Sequence, residues 1–230
     1  MPWIDWKKMN KMIADLEGKL IVSCQAYPGE PMRCSETMAQ MAQAAVEGGA
    51  AAIRCQGLRD IELIKKRVNV PVIGLWKAGH EDVYITPGAN HALKCIEAGS
   101  DIVAIDATLR PRPDGSIFAD TVKAIKDKTL IMADCSCIED AKAALDLGVD
   151  IVATTLAGNL PGDAPSDGPA LELISEMKKI AGDVPVFCEG RVHTPEDAKA
   201  AFEAGAFAVC VGTGITHPTS ITRWFVNAIQ

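Results

Sequence analysis

Glu97-Ala98-Gly99-Ser100 runs through Asp101 into Ile102-Val103-Ala104-Ile105, and this junction of a helical end with an apolar run decides the fold. Glycine just past a helix suits the left-handed backbone that closes many helices. The run after it lacks polar alternation, as expected of a strand buried on both faces in a parallel sheet. The phrase recurs as Glu47-Gly48-Gly49-Ala50 before Ala52-Ile53, and as Asp146-Leu147-Gly148-Val149 before Ile151-Val152-Ala153. A fourth copy is Glu203-Ala204-Gly205-Ala206 before Val209-Cys210-Val211. Its closing glycines stand at 49, 99, 148 and 205, at intervals of 50, 49 and 57 residues.

Between these strands lie Leu20-Ile21-Val22, Pro71-Val72-Ile73-Gly74-Leu75, Leu130-Ile131-Met132-Ala133 and Val184-Pro185-Val186-Phe187. Eight strands are therefore expected, starting near 20, 50, 71, 101, 130, 150, 184 and 206, each followed by an amphipathic helix. Thr194-Pro195-Glu196-Asp197 marks one helix start with a cap residue and Pro at the first position. Ser136-Cys137-Ile138-Glu139 has the spacing of a capping box. An open doubly wound sheet also alternates strand and helix. The fourfold repeat of βαβα units and the lack of a Gly-x-Gly-x-x-Gly loop after the first strand favour closure. The expected fold is α/β, a (β/α)8 TIM barrel forming one domain over residues 1–230. Trp6, Met9, Ile13 and Leu16 add an N-terminal helix within residues 1–18 that covers the barrel bottom.

With 48% hydrophobic and 23% charged residues the composition is that of a globular domain. A net charge of −7 argues against a nucleic-acid partner, which needs clustered Lys and Arg. No run is apolar for long enough to span a membrane, and Met1–Lys8 has no apolar core before a cleavage site, so no leader is expected. Of the eight cysteines, Cys24, Cys55, Cys135, Cys188 and Cys210 sit in strand-like runs as small core residues. Cys135-Ser136-Cys137 has the wrong spacing for a redox or zinc motif, and the expected compartment is reducing cytoplasm. His80, His91, His193 and His217 show no ligand spacing, so no metal is expected.

A barrel of this kind builds its site where the strands end. In chain order those ends read Ser23-Cys24-Gln25, Arg54, Lys77, Asp106, Asp134, Thr154-Thr155, Glu189 and Gly212-Thr213-Gly214. Any one charged residue there would ordinarily be a solvated loop start, but five converging on one rim shift each other's proton affinity. Lys77, crowded by Arg54 and leaving a buried strand, is a candidate base, and Glu189 a candidate acid or an ion-pair partner. Gln25, Arg54, Asp106, Asp134 and Thr155 are candidate substrate contacts. The loops after strands 7 and 8 often seat phosphate, which marks Gly190, Arg191, Gly212 and Thr213.

In combination, Ser23-Cys24-Gln25-Ala26, Pro71–Lys77, Ile85-Thr86-Pro87, Asp106-Ala107-Thr108 with Arg112-Pro113-Asp114-Gly115, Met132–Ser136, Thr154–Gly158 and Glu189-Gly190-Arg191 resemble one family. It is the N-acetylmannosamine-6-phosphate 2-epimerase family of the ribulose-phosphate-binding barrels, and the likeness runs from strand 1 onward. It implies an isomerase of the EC 5.1.3 type. That enzyme would interconvert N-acetylmannosamine 6-phosphate and N-acetylglucosamine 6-phosphate in amino sugar and sialic acid catabolism, without an organic cofactor. It further implies Lys77 as the acid/base at C2, Glu189 as its assistant, and substrate contacts at Gln25, Arg54 and Asp134. The implied partner is a small sugar phosphate, and a homodimer is left open. The chain departs from the family pattern at Ala78-Gly79-His80, usually Arg-Asp-Tyr, and at His217, usually Arg beside the phosphate. Two other classes stay open: an aldolase-like lyase with a Lys77 Schiff base, and a barrel that binds a phosphosugar without turning it over.

Overall fold

In the computed structural model, residues 6–79, 83–161, 163 and 167–230 are described; Met1–Asp5 and His80, which figured in the sequence reading, lie outside them. The strands are β1 Leu20–Cys24, β2 Ala52–Gln56, β3 Val72–Leu75, β4 Ile102–Asp106, β5 Leu130–Asp134, β6 Ile151–Ala153, β7 Val186–Glu189 and β8 Ala208–Val211. All neighbours are parallel, and β8 pairs back onto β1 through Ile21 opposite Cys210, which closes the barrel. Each strand begins within about two residues of its expected start. The helices are α1 Trp6–Ala14, α2 Ser35–Glu47, α3 Leu58–Arg67, α4 Ala89–Glu97, α5 Phe118–Ile125 and α6 Ile138–Asp146. They continue with α7 Leu171–Ile180, α8 Pro195–Glu203, the short α9 Thr213–Thr216 and α10 Pro218–Ala228.

The repeated phrase behaves as its chemistry requires. Gly49, Gly99, Gly148 and Gly205 have φ of +103°, +105°, +71° and +104°, a region that a Cβ would strain. Thr194 caps α8 by accepting from Asp197 N at 3.1 Å, with Pro195 in the first turn. The expected box at Ser136 is not formed. Cys137 is the cap residue of α6, and Asp140 reaches back to Ser136 N and Oγ at 2.9 and 2.6 Å. The carboxylate replaces the serine because α6 starts one residue later than the spacing implied.

Two apolar layers follow from the period of two along each strand. Val22, Ile53, Val103, Ile131 and Val209 pack outward against the helices. Ile21, Ile73, Ile102, Met132, Ile151 and Phe187 fill the barrel interior. Leu16 is buried against that inner layer, with Met9, Met12 and Ile13 of α1 packed on it, so the N-terminal segment closes the bottom. All eight cysteines are free thiols, and the five expected in the core are buried. No helix among the described residues is long and apolar enough to cross a membrane.

Candidate active site

The site is the inner core carried one pleat further. Ala52, Leu75, Ala104, Met132, Phe187 and Cys210 face inward, and two residues beyond each stand Arg54, Lys77, Asp106, Asp134, Glu189 and Gly212. The alternation that buries the apolar residues therefore aims the polar ones at the mouth. Lys77 lies past the end of β3, where the chain doubles back on itself. Lys77 bridges Ile85, Ala78 N donates to Tyr84 O at 2.9 Å, and Thr86 N to Trp76 O at 2.9 Å. Asp106 N then donates to Ile85 O at 3.1 Å, docking this hairpin against β4.

At the floor is a buried guanidinium between two carboxylates. Arg54 Nη2 meets Asp134 Oδ2 at 2.7 Å and Nη1 meets Oδ1 at 3.2 Å, while Thr155 Oγ1 donates to Oδ1 at 2.7 Å. Arg54 Nε lies 2.9 Å from Glu189 Oε1, without the alignment of a hydrogen bond. Glu189 Oε2 is buried with no aligned partner among the described residues. Arg54 and Asp134 are 1% and 0% exposed, so this charge cluster lies wholly within the barrel. The two-point pairing thus goes to Asp134, and Glu189 meets only the Nε side of the guanidinium.

Burial raises the Glu189 carboxyl to about 7, assisted by the Asp134 charge and opposed by Arg54 and Lys77. Burial likewise lowers the Lys77 ammonium, and Arg54 pushes the same way, while Glu189 and Asp134 oppose it. Both groups are thereby moved toward neutrality, where each can give or take a proton. Since β3 and β7 are four strands apart in a ring of eight, the two face each other across the mouth.

Above the cluster lies a cavity of about 320 Å³. Its far wall is made by the loops after β7 and β8, where Gly190 takes φ +107° and Arg191 +54°. These loops touch: a Cβ on Gly214 would lie 3.1 Å from the carbonyls of Val192 and His193. Thr216 Oγ1 donates to Ser23 O at 2.7 Å and ties α9 to β1. The first N–H groups of α9 have no carbonyl one turn back, so this wall offers donors to an anion. A second cavity of about 540 Å³ shares Tyr27, Lys77, Tyr84, Leu156 and Asn159 with the first and continues away from the glycine loops, toward Arg110 and Leu160.

Of the residues singled out from sequence, Gln25, Arg54, Lys77, Thr155, Glu189, Gly190, Arg191, Gly212 and Thr213 line the first cavity. Asp106 and Asp134 are not on its lining. Asp106 is turned into its own loop, accepting from Thr108 N and Oγ1 at 2.9 and 2.6 Å and pairing with Arg110 at 2.8 Å. Asp134 is covered by Arg54. The Arg191 guanidinium is on the wall but already donates to backbone: Nε to Gly168 O at 2.8 Å and Nη1 to Ala157 O. His217 fills the place of the expected arginine and binds Glu30 Oε1 through Nε2 at 2.7 Å. Tyr27, Tyr84 and Cys210 also line the cavity without having been singled out as site residues, and His217, marked in the sequence only as a departure from the family pattern, lines it too. Cys210 was legible, being inward by parity and opposite Glu189 in register. Tyr27 and Tyr84 sit on loops whose course only the folded chain defines.

A sequence profile described as "Putative N-acetylmannosamine-6-phosphate epimerase" matches residues 38–230. A Cutibacterium acnes protein described in the same words, as a 2-epimerase, is 50% identical over 224 residues, covering 96% of this chain and 98% of its own length. One from Caldanaerobacter subterraneus is 48% identical over 224 residues, covering 95% and 94%. Among solved structures, the N-acetylmannosamine-6-phosphate 2-epimerase from Clostridium perfringens is 42% identical with a TM-score of 0.90, covering 94% of this chain and 96% of that one. Orotidine 5'-phosphate decarboxylase from Pyrococcus horikoshii, at 16% identity and a TM-score of 0.60, shares the fold.

Proposed function

The chain belongs to the N-acetylmannosamine-6-phosphate epimerase family, and from that premise we propose that it interconverts N-acetylmannosamine 6-phosphate and N-acetylglucosamine 6-phosphate. In this reading it is a cytoplasmic isomerase of amino sugar and sialic acid catabolism. The observation that carries it is the pairing of Lys77 and Glu189, both shifted toward neutrality, across a cavity walled by two glycine loops.

The proton on C2 of a hexosamine is acidic only when C1 is an open-chain aldehyde, because the carbanion then spreads onto that oxygen. Catalysis therefore needs ring opening, proton removal, an oxyanion partner and return of the proton to the other face. The sugar's phosphate rests on the loops after β7 and β8. The ring oxygen is bonded to C5, next to the phosphate-bearing C6, so it falls near β7. There Glu189, protonated about half the time near pH 7, donates to it as the bond from C1 to the ring oxygen breaks and the C1 hydroxyl releases its proton to solvent. C2 then falls toward β3, where neutral Lys77 takes its proton and the same or a second acid returns one. Arg54, on the floor, offsets the negative charge that develops on O1, and Asp134 and Thr155 hold Arg54 in orientation. Gln25, fixed by its bond to Ser23 Oγ at 2.6 Å, contacts the hydroxyls.

Proton NMR of N-acetylmannosamine 6-phosphate with the protein in D₂O tests the reading. Conversion to the gluco epimer with deuterium at C2 is expected. Binding without conversion or exchange identifies a barrel that has lost turnover, and a borohydride-trapped Lys77 adduct identifies Schiff-base chemistry. Lys77→Ala should lower kcat by about 10²–10⁴-fold while leaving the thermal melt intact.

A further inference from the structure

Tyr27 stands on the loop after β1, with its side chain half exposed at 52%. It nevertheless makes two contacts with one ammonium group. Lys77 Nζ donates to the Tyr27 hydroxyl at 3.1 Å and lies 4.3 Å from the centre of its ring. An exposed aromatic side chain needs a reason to stay in one place, and the loop supplies it. Tyr27 N donates to Glu30 Oε2 at 2.7 Å, and Glu30 N donates back to Tyr27 O at 3.0 Å. The other oxygen of Glu30 accepts from His217 Nε2 at 2.7 Å. His217 is itself held as the cap of α10, its Nδ1 accepting from Ser220 N at 3.3 Å, with Ser220 Oγ 2.7 Å away. A continuous line of contacts thus runs from the β8 glycine loop, through His217 and Glu30, to Tyr27 and Lys77.

We propose that Tyr27 is a positioning residue for Lys77, holding its ammonium at the cavity mouth, and that the His217–Glu30 contact fixes Tyr27 in that place. The role in turnover rests on the epimerase reading; the effect on Lys77 does not. Lys77 is faced by Tyr84 from its own hairpin, Arg54 from β2, Asp134 from β5, Glu189 from β7, and Tyr27 and Glu30 from the β1 loop. Among these, a ring face and an accepting hydroxyl favour the charged amine, against the burial that disfavours it. When Lys77 is neutral the hydroxyl turns donor, so Tyr27 keeps the amine in place in both states.

The test is the pH dependence of Lys77 arylation by trinitrobenzenesulfonate in the free protein, followed at the Lys77 peptide by mass spectrometry. In Tyr27→Leu the acid dissociation constant of Lys77 should rise about two- to fivefold, the equivalent of one exposed cation–π contact. Tyr27→Phe, which keeps the ring, should show a smaller rise. His217→Leu, which removes the contact with Glu30, should shift Lys77 in the same direction, and the shift should vanish in the Tyr27→Leu background. An unchanged or lowered constant in Tyr27→Leu overturns the assignment to Tyr27. A His217→Leu shift of equal size in both backgrounds overturns the line through Glu30. If the titrations move as expected while the unsubstituted protein shows neither conversion nor exchange in D₂O, the positioning role stands and the epimerase reading fails.

Discussion

Asp134→Asn removes one of two carboxylates that share the Arg54 guanidinium and leaves Glu189 on it. Both touch that group, at 2.7 and 2.9 Å. For two carboxylates on one guanidinium, several Å apart at an effective dielectric of about 20, the mutual repulsion is on the order of 2 kcal/mol. That corresponds to roughly one to two pKa units. The Glu189 carboxyl stands at about 7 because burial and Asp134 raise it against the pull of Arg54. Without Asp134 the pull of Arg54 gains, and the carboxyl should drop to about 5–6. If protonated Glu189 opens the ring and neutral Lys77 takes the proton, kcat/KM rises with pH up to the Glu189 value. It then stays level until the Lys77 value and falls beyond it. In the variant the lower inflection should move down with Glu189, and the plateau should fall about ten- to a hundredfold, since fewer molecules hold both groups in the required state. Losing one partner of a buried pair can cost about 3–5 kcal/mol, so a thermal melt must first show the protein folded at the assay temperature. The assay is kcat/KM for N-acetylmannosamine 6-phosphate between pH 5 and 9, a range chosen to bracket the value of about 7. A lower inflection that stays at about 7 in folded Asp134→Asn would refute the electrostatic account of Glu189.

Glu189→Gln should abolish that lower inflection altogether, so kcat/KM climbs through neutral pH until Lys77 is deprotonated; a profile that still bends at about 7 removes Glu189 as the titrating acid. Gly74→Val should destabilise the barrel, because a Cβ there would lie 1.9 Å from Ser100 Oγ and 2.8 Å from Ile61 Cδ1. Overpacking of this kind costs about 1–3 kcal/mol, visible as a drop of several degrees in Tm. Thr194→Ala removes the α8 cap and should lower stability by about 1 kcal/mol in denaturant unfolding. It should leave kcat unchanged, because Thr194 lies outside the cavity.

Most of the site was written in the chain because parity along a strand is a local property. A residue two positions past an inward Ala52 or Phe187 must also point inward, so Arg54 and Glu189 could be picked out before any coordinates. Parity says which way a side chain points but not what stands in front of it. Asp106 obeys the rule and is still withdrawn from the cavity, because Arg110 and Thr108 from its own loop reach it first. Asp134 obeys it too, and Arg54 covers it. Tyr27 is more than twenty residues from any group it serves except Glu30, and its contact with Lys77 spans 50 positions.

The (β/α)8 barrel, its strand count and the identity of most polar residues at the rim follow from the order of amino acids alone. Helix termination at glycine and burial of β-branched runs are short-range effects, repeated until closure was the consistent outcome. Which rim groups meet, and in what charge state, is set by the closed barrel. Arg54 lies between Asp134 and Glu189 because β2, β5 and β7 close around one axis, and burial there brings Glu189 to about 7. The desolvation and Coulomb energies that set those states depend on distances through space, which spacing along a chain does not encode.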